Sequence, residues 1–438
     1  MSSTYLTLAA STPTSAQKGT MSCWVKRSTL GSTQYLMAWD ENSTSYSRLY
    51  FNSSDKLAFK SLDGGSNYGE LITNRLFRDT SAWYHIVCAI DTTLGTSGDR
   101  INFYVIGVRE TSFDTESQPS VNRNLKIGEA AVYIGMAAGA GFSGSMSHIN
   151  YVDGTQYQAS DFGSTDSTTG EWKINTSPSV TYGLNGFFIL KDGNSVTDQS
   201  GQGNNFTVGG GTLTKTEDCP SNVFATLNPL GHASANFTLI EGNLYSGGAD
   251  NNWRSIFGTI GSSSGKYYYE MKVIGHNNEH VGIASADQIA SCSDSSGKFT
   301  DNSFGAEGYS YTSGGQKANN GSEVSWGNSY TTNDIIGVAF DLDNSKLYFS
   351  KNGTWQESGD PTSGSTGTGA AYTLVANKIY LPAMASYNAA SNMAFNFGNG
   401  FFRTTAISSA GTNASGNGIF EYDVPTGYTA VSTKGFNL

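Results

Sequence analysis

The chain has 438 residues, of which 37% are hydrophobic, 12% aromatic and only 14% charged; it carries 53 glycines and a formal net charge of −11. Low charge with many aromatics excludes a disordered chain, and the length supplies core for two or three domains without disulfide staples. An acidic chain with no basic run excludes nucleic acid as a partner, and an anionic bilayer surface for the same reason.

From the N-terminus, MSSTYLTLAASTPTSAQKG has neither a basic region nor an apolar core, so no secretory signal is expected. No apolar run reaches the length of about 18 residues that a membrane span needs, so no membrane insertion is expected. The protein is therefore expected to be made in a cytoplasm. The cysteines, Cys23, Cys88, Cys219 and Cys292, are far apart and show no metal-type spacing. Cys23 and Cys88 lie in strand-like runs and read as small buried hydrophobes. AWYHIVCAID and RINFYVIGV are apolar at successive positions, as central strands of a sandwich are. DCPSNVFATLNPLGH, residues 218–232, holds Pro220 and Pro229 and reads as a linker.

Beyond it, KYYYEMKVI puts Tyr267, Tyr269, Met271 and Val273 on one face and Lys266, Tyr268, Glu270 and Lys272 on the other. That pattern predicts a half-buried antiparallel strand. DIIGVAFDLD aligns Ile336, Val338, Phe340 and Leu342, and KLYFS repeats the alternation with Leu347 and Phe349. GDPTSGSTGTGA reads as a surface loop. The segment after Phe402 ends in FEYDVPTGYTAVSTKGFNL, aromatic enough to dock. Helical periodicity is almost absent, and no heptad or β-helix repeat supplies a fibre shaft. The fold class expected is all-β: two antiparallel β-sandwiches and a short C-terminal docking segment.

Chemical motifs are weak. HNNEH, His276–His280, has the H-x-x-E-H zinc spacing, but it joins two strands where that motif needs a helix. GSSSG, residues 261–265, matches G-x-S-x-G but precedes a strand. Asp341, Asp343 and Ser345 imitate the start of an EF-hand, yet Lys346 stands at position six and Asn352 at position twelve. Asp40, Asp63 and Asp192 lie near turns, and a calcium ion in the first sandwich is the one cofactor left open; otherwise none is expected. No E-x-D-x-x-E run supplies a glycosidase pair, and Asp341 with Asp343 has the i, i+2 strand spacing that approaches the ~5 Å separation of a retaining enzyme but stands at a turn. Aromatics near loops remain as candidates for binding a sugar ring or a partner: Trp39 with Asp40, Tyr46, Tyr309, Tyr311, Trp326, Tyr330 and Trp355, joined by Lys317 and Asn319 in YSYTSGGQKANNG.

GKYYYEMKV, VGIAS, DIIGVAFDLDNSKLYFSKNGTW and LPAMASYNAASNMAFNFG, in that order, resemble a SPRY domain over residues 233–402. The resemblance implies a bent β-sandwich that binds partners through loops at one end and is not an enzyme. It makes Asp341 and Asp343 scaffold beside a turn at Asn344, and Asn352-Gly353 a hairpin turn. MSCWVKRS, LYFNSSDKLAF, DTSAWYHIVCAID, RINFYVIGV and YIGMAAGAGFSGSMSHINYVDG resemble a concanavalin-A-like, laminin-G-like jelly roll over residues 1–217. Ile106-Gly107 stands where that family commonly has Asn-Gly, so a different turn is expected. The phrase DQSGQGNNF usually opens such a domain. Here it comes late, so residues 182–210 are expected to return as an edge strand. Residues 403–438 form the docking segment.

The pairing of these domains with SNVFATLNPL and YDVPTGYTAVST resembles virion structural proteins of tailed bacteriophages. That implies a virion location, release by lysis, other virion proteins as partners and a homo-oligomer, a trimer by analogy. Two roles follow. One is an adhesive tail-fibre, spike or head-fibre component binding host surface polysaccharide. The other is a capsid or tail decoration protein making only protein contacts. A glycan-cleaving enzyme is the weakest third.

Overall fold

Aromatic and β-branched residues recur at alternate positions through most of the chain, and it folds accordingly as antiparallel sheet with short turns. The computed structural model describes residues 4–191, 193–232, 238–247, 251–292 and 297–437. They divide into two compact units, Met1–Lys215 and Thr216–Leu438, each an antiparallel β-sandwich.

In the first unit a six-stranded sheet runs in the order Phe187–Ile189, Gly144–Asp153, Lys18–Arg27, Trp83–Asp91, Ile101–Val105, Val108–Arg109. It packs on an eight-stranded sheet ordered Phe113–Ser117, Ser66–Leu76, Lys56–Asp63, Ser45–Phe51, Gln34–Asn42, Val132–Ile134, Tyr5–Leu8, Thr207–Gly210. Met37, Leu49 and Phe59 from one sheet and Cys23, Cys88 and Phe103 from the other meet in the core. Burial pushes the Cys23 thiol up to about 12, so it is inert at neutral pH. Residues 182–210 contribute an edge strand to each sheet: Phe187–Ile189 pairs with Gly144–Asp153, and Thr207–Gly210 with Tyr5–Leu8. The DQSGQGNNF phrase builds the connection, with Asp198 accepting the N–H groups of Phe188, Ser200 and Asn204. The Ile106-Gly107 turn departs from expectation by being ordinary: both residues are left-handed, at φ 49° and 77°, as in an Asn-Gly hairpin. Gly107 is required there, because a Cβ would lie 2.4 Å from the Trp172 ring.

In the second unit a seven-stranded sheet faces a nine-stranded one. Tyr269, Val338, Phe340, Leu347 and Phe349 of the larger sheet pack on Val281, Ile283, Tyr309 and Tyr311 of the smaller. Two boundaries differ from the sequence reading. Residues 218–232 are not a free linker: Phe224 and Ala225 are buried, and Leu227–His232 pairs with Arg254–Gly258. The segment after Phe402 is not a separable docking piece. Thr429–Ala430 pairs in parallel with Tyr267 and Tyr268, and Phe420, Val424 and Tyr428 close over the larger sheet's outer face. For the same reason the Lys266–Gly275 strand is not half-buried. Tyr268 and Glu270, expected on the solvent side, are both 0% exposed.

Covering segments recur. Residues 155–182 place Ala159, Phe162 and Tyr182 over Val87, Val152 and Phe188 on the outer face of the six-stranded sheet. Helix Ala286–Cys292 and Phe299 cover Phe257, Ala284 and Ala383 on that of the seven-stranded sheet. Among the described residues, the outer face of the eight-stranded sheet has no such apolar cover.

Candidate functional site

At one end of the second sandwich, loops between strands enclose an open cleft of about 410 Å³, lined by His276, Asn278, Ser313, Gly314, Ser329, Tyr330, Thr331 and Lys351. The loops are pinned from beneath. Gly315, at φ 81°, accepts the N–H groups of Trp326 and Gly327, and a Cβ there would lie 2.6 Å from the Gly327 carbonyl oxygen. Lys351 donates to the Ser329 carbonyl at 2.8 Å and pairs with Asp334 at 3.1 Å. Asp334 also accepts the Thr331 N–H at 2.8 Å. Burial raises the Asp334 carboxyl, but Asn352, Thr331 and Lys351 together hold it below the usual carboxylate range. Tyr330 forms the floor, donating to the carbonyls of Glu279 and Tyr311 at 3.0 and 3.1 Å. The described residues lining the cleft offer amide, hydroxyl, imidazole and ammonium groups and no carboxylate.

The aromatic candidates are used differently from the surface role expected of them. Tyr309, Tyr311 and Tyr330 are buried, the first two because Gly308–Thr312 turns its only large side chains to the core. Tyr311 donates to the Asn328 carbonyl and so anchors the cleft loop from inside. Trp326 is half-buried edge-on to Tyr311, and Trp355 packs edge-on to Tyr268. Lys317 reaches the Ala371 carbonyl at 2.9 Å with its ammonium over the Tyr372 ring, and Asn319 ties the carbonyls of Ala306 and Gly308. Of the expected YSYTSGGQKANNG binding loop, Tyr309, Tyr311, Lys317 and Asn319 are therefore packing and bracing, while Ser313 and Gly314 line the cleft. Among the aromatic candidates only Tyr330 lines it.

His276 and His280 do not converge. His276 pairs with Glu279 at 2.9 Å in the turn, while His280 stands on a strand beside Trp253, where burial pushes it down to about 3. GSSSG precedes the Lys266–Gly275 strand. Asp341 pairs with Lys266 at 2.9 Å and accepts from Asn344, and Asp343 accepts the Gly265 N–H at 2.7 Å. Both carboxylates are hairpin bracing. Among the described residues no group of three or more His, Cys, Asp or Glu is placed to hold a metal ion. Asp63 pairs with Lys126, and Asp192 lies outside the described residues.

In the first unit Trp39 and Asp40, adjacent on a strand, point to opposite faces. Trp39 is buried in the core against Tyr151. Asp40 lies on the uncovered face and holds Arg48 through two hydrogen bonds of 2.7 and 3.1 Å. The Arg48 guanidinium lies 3.6 Å from the centre of the Tyr46 ring and 5.4 Å from that of Tyr35, and Tyr35 sits 5.3 Å from Tyr50. Arg48 and Tyr50 were missed in the sequence, as were the cleft residues Ser313, Ser329, Thr331 and Lys351. The signal for the first two was available in SYSRLYF, where Leu49 and Phe51 claim the core and send Tyr46, Arg48 and Tyr50 outward.

Comparison with known proteins agrees with these two folds. Residues 1–155 match the concanavalin A-like lectin/glucanases superfamily, and residues 266–400 match the SPRY domain. The chain thus carries a concanavalin A-like jelly roll followed by a SPRY domain. No curated protein matches it. Similar solved structures include the SPRY domain of human HERC1, 16% identical, covering 39% of this chain and 96% of that one with a TM-score of 0.31. Another is stonustoxin, 17% identical, covering 39% and 27% with a TM-score of 0.28. A third is the native heptameric SAP-like pentraxin of Limulus polyphemus, 16% identical, covering 43% and 86% with a TM-score of 0.30. Lectin-like and SPRY domains fit a carbohydrate-binding or protein-interaction role.

Proposed function

We propose that this chain is a non-enzymatic adhesive protein displayed on a tailed-bacteriophage virion, as part of a tail fibre, spike or head fibre, and that it binds host surface glycan. The observation that supports this most is the braced polar cleft of the second sandwich. Its loops are fixed by buried anchors, so little ordering entropy is lost on binding. Its lining presents hydrogen-bonding groups of the kind that hold a hydroxyl-rich ligand, without the carboxyl pair that glycoside cleavage requires. The virion setting rests on the resemblance of the domain pair and its flanking phrases to phage structural proteins.

The test is to mix labelled protein with host cells and with extracted surface polysaccharide. Saturable binding that His276→Ala and Lys351→Ala each weaken supports adhesion through the cleft. Absence of binding by well-folded protein sinks that reading and favours a decoration protein whose contacts are all with other virion proteins.

A further inference from the structure

The cleft of the second sandwich is organised from beneath by one residue. Glu279 opens the strand Glu279–Ser285 and is 0% exposed. Its side chain holds the turn before it: one carboxylate oxygen accepts the Asn277 N–H, and the other lies 2.9 Å from His276 Nδ1. Its backbone holds the neighbouring segments. The N–H donates to Ser313 Oγ at 3.2 Å, and the carbonyl accepts the Ser313 N–H at 2.9 Å and the Tyr330 hydroxyl at 3.0 Å. His276, Ser313 and Tyr330, which line the cleft, are thus fixed by a residue that does not line it.

These contacts also set the direction of the hydrogen bonds the cleft has left to make. A carboxylate offers only lone pairs, so His276 meets it with Nδ1–H, and a neutral imidazole then keeps its lone pair on Nε2. Among the described residues nothing donates to that nitrogen, and the His276 side chain is 37% exposed. Ser313 Oγ already accepts the Glu279 N–H, so its hydroxyl proton remains to be donated. Lys351 uses two of its three N–H groups on the Ser329 carbonyl and Asp334 and keeps one. The cleft therefore presents a fixed acceptor, Nε2, together with donors from Ser313 and Lys351.

A ligand that complements this pattern has to donate and accept, and a sugar hydroxyl does both. A carboxylate or sulfate only accepts. It satisfies Ser313 and Lys351 but sets an anion against the Nε2 lone pair, and the carboxylates of Glu279 and Asp334 cancel the field that would attract it. From this we infer that Glu279 is a positioning residue that makes His276 Nε2 the acceptor of the cleft, and that the cleft selects a neutral, hydroxyl-bearing sugar over an acidic one. The inference rests on the reading of the cleft as the glycan site.

The tautomer is read first, from the nitrogen shifts of the histidine side chains in the isotope-labelled full chain at neutral pH, with His276→Phe assigning the signal. The parent is expected to carry the proton on Nδ1. Glu279→Gln, whose amide can donate to Nδ1, is expected to move it to Nε2. An imidazolium or an Nε2–H tautomer in the parent overturns the assignment. The full chain is then titrated with extracted host surface polysaccharide, and with the same material O-methylated, which removes hydroxyl donors, or carboxymethylated, which adds anions. Both modified forms are expected to bind at least tenfold more weakly. Glu279→Gln and His276→Phe are each expected to weaken the native polysaccharide about tenfold, the worth of one hydrogen bond, while His276→Gln, which keeps an acceptor, recovers part of the loss. Should Glu279→Gln fail to fold, the two His276 variants carry the same comparison. Equal binding by His276→Phe and His276→Gln, or stronger binding after carboxymethylation, overturns the inference, while loss of binding in Lys351→Ala still leaves the cleft as the glycan site. No binding of the native polysaccharide sinks the glycan reading and this inference with it.

Discussion

The two sandwiches put tyrosine on an outer sheet face to opposite uses. In the second unit Tyr268 and Tyr348 flank Ala339 on adjacent strands, and the segment bearing Phe420, Val424 and Tyr428 buries them completely. In the first unit Tyr46 and Tyr50 hold the equivalent outward positions and stay half-exposed among Asp40, Arg48 and Lys60. Residue type and strand periodicity are the same. The difference lies in what runs overhead, so the function of an outward tyrosine is decided by a segment that pairs with its sheet from far along the chain.

The sharpest way to break this contrast is to remove the cover. Deleting residues 403–438 strips Phe420, Val424, Tyr428 and Val431, all buried, from the second unit. At about 1.5–3 kcal/mol for each side chain, the loss is roughly 6–12 kcal/mol, the size of a whole domain's stability. The second unit is expected to lose its thermal transition and become protease-sensitive, while the first keeps its own. A surviving second transition ends the claim that the tail is structural.

The strands, the two-sandwich fold and the hairpin at Asn352-Gly353 were legible in the sequence, because period-2 alternation and left-handed turn residues are local signals. The sites were less so. In both GYSYT and SYSRLYF the tyrosines fall on one face of the strand. In the first, tyrosine is the only large side chain and turns inward; in the second, Leu49 and Phe51 take the core and tyrosine turns outward. Counting aromatics near loops does not separate these cases, whereas comparing the two faces of each strand does. The cover over Tyr268 and Glu270 was not legible, since Thr429–Ala430 joins Tyr267–Tyr268 across most of the second unit's sequence.

Buried carboxylates sharpen the comparison through pH. In the first unit Asp55 accepts from Arg27 at 3.0 Å, Arg78 at 3.1 Å and the Gly31 N–H at 2.8 Å. Burial raises its carboxyl, but the Gly31 N–H and the two guanidinium groups outweigh that and leave it below the ordinary value. Its contribution is thus present above the unfolded pKa and is lost as pH falls through the folded one. Asp55→Ala leaves the buried Arg27 guanidinium without its ion-pair partner and is expected to cost the first unit about 3–5 kcal/mol, read as a fall in its melting temperature.

Glu270 in the second unit has the opposite sign. Burial pushes it up to about 7, against hydrogen bonds from the Glu421 and Tyr422 N–H groups, Asn396 and Tyr268. Its contribution is full below the unfolded value near 4.5 and is lost as pH rises through about 7, a swing of about 3 kcal/mol. Between pH 5 and 8 the second unit's melting temperature should fall further in the parent than in Glu270→Gln. Equal slopes refute the assignment.

The smallest stability effect is the most discriminating, because it pairs one substitution across the two faces. Tyr268→Ala empties a covered site and is expected to cost about 3–5 kcal/mol, as other buried aromatic truncations do. Tyr46→Ala removes a half-exposed ring that contacts Arg48 from outside the core, and about 1 kcal/mol, the span of strand propensity, bounds its cost. Chemical denaturation of both variants measures the gap. Should Tyr46→Ala prove as costly as Tyr268→Ala, Tyr46 is part of the fold's support, and the contrast between the covered and uncovered faces fails.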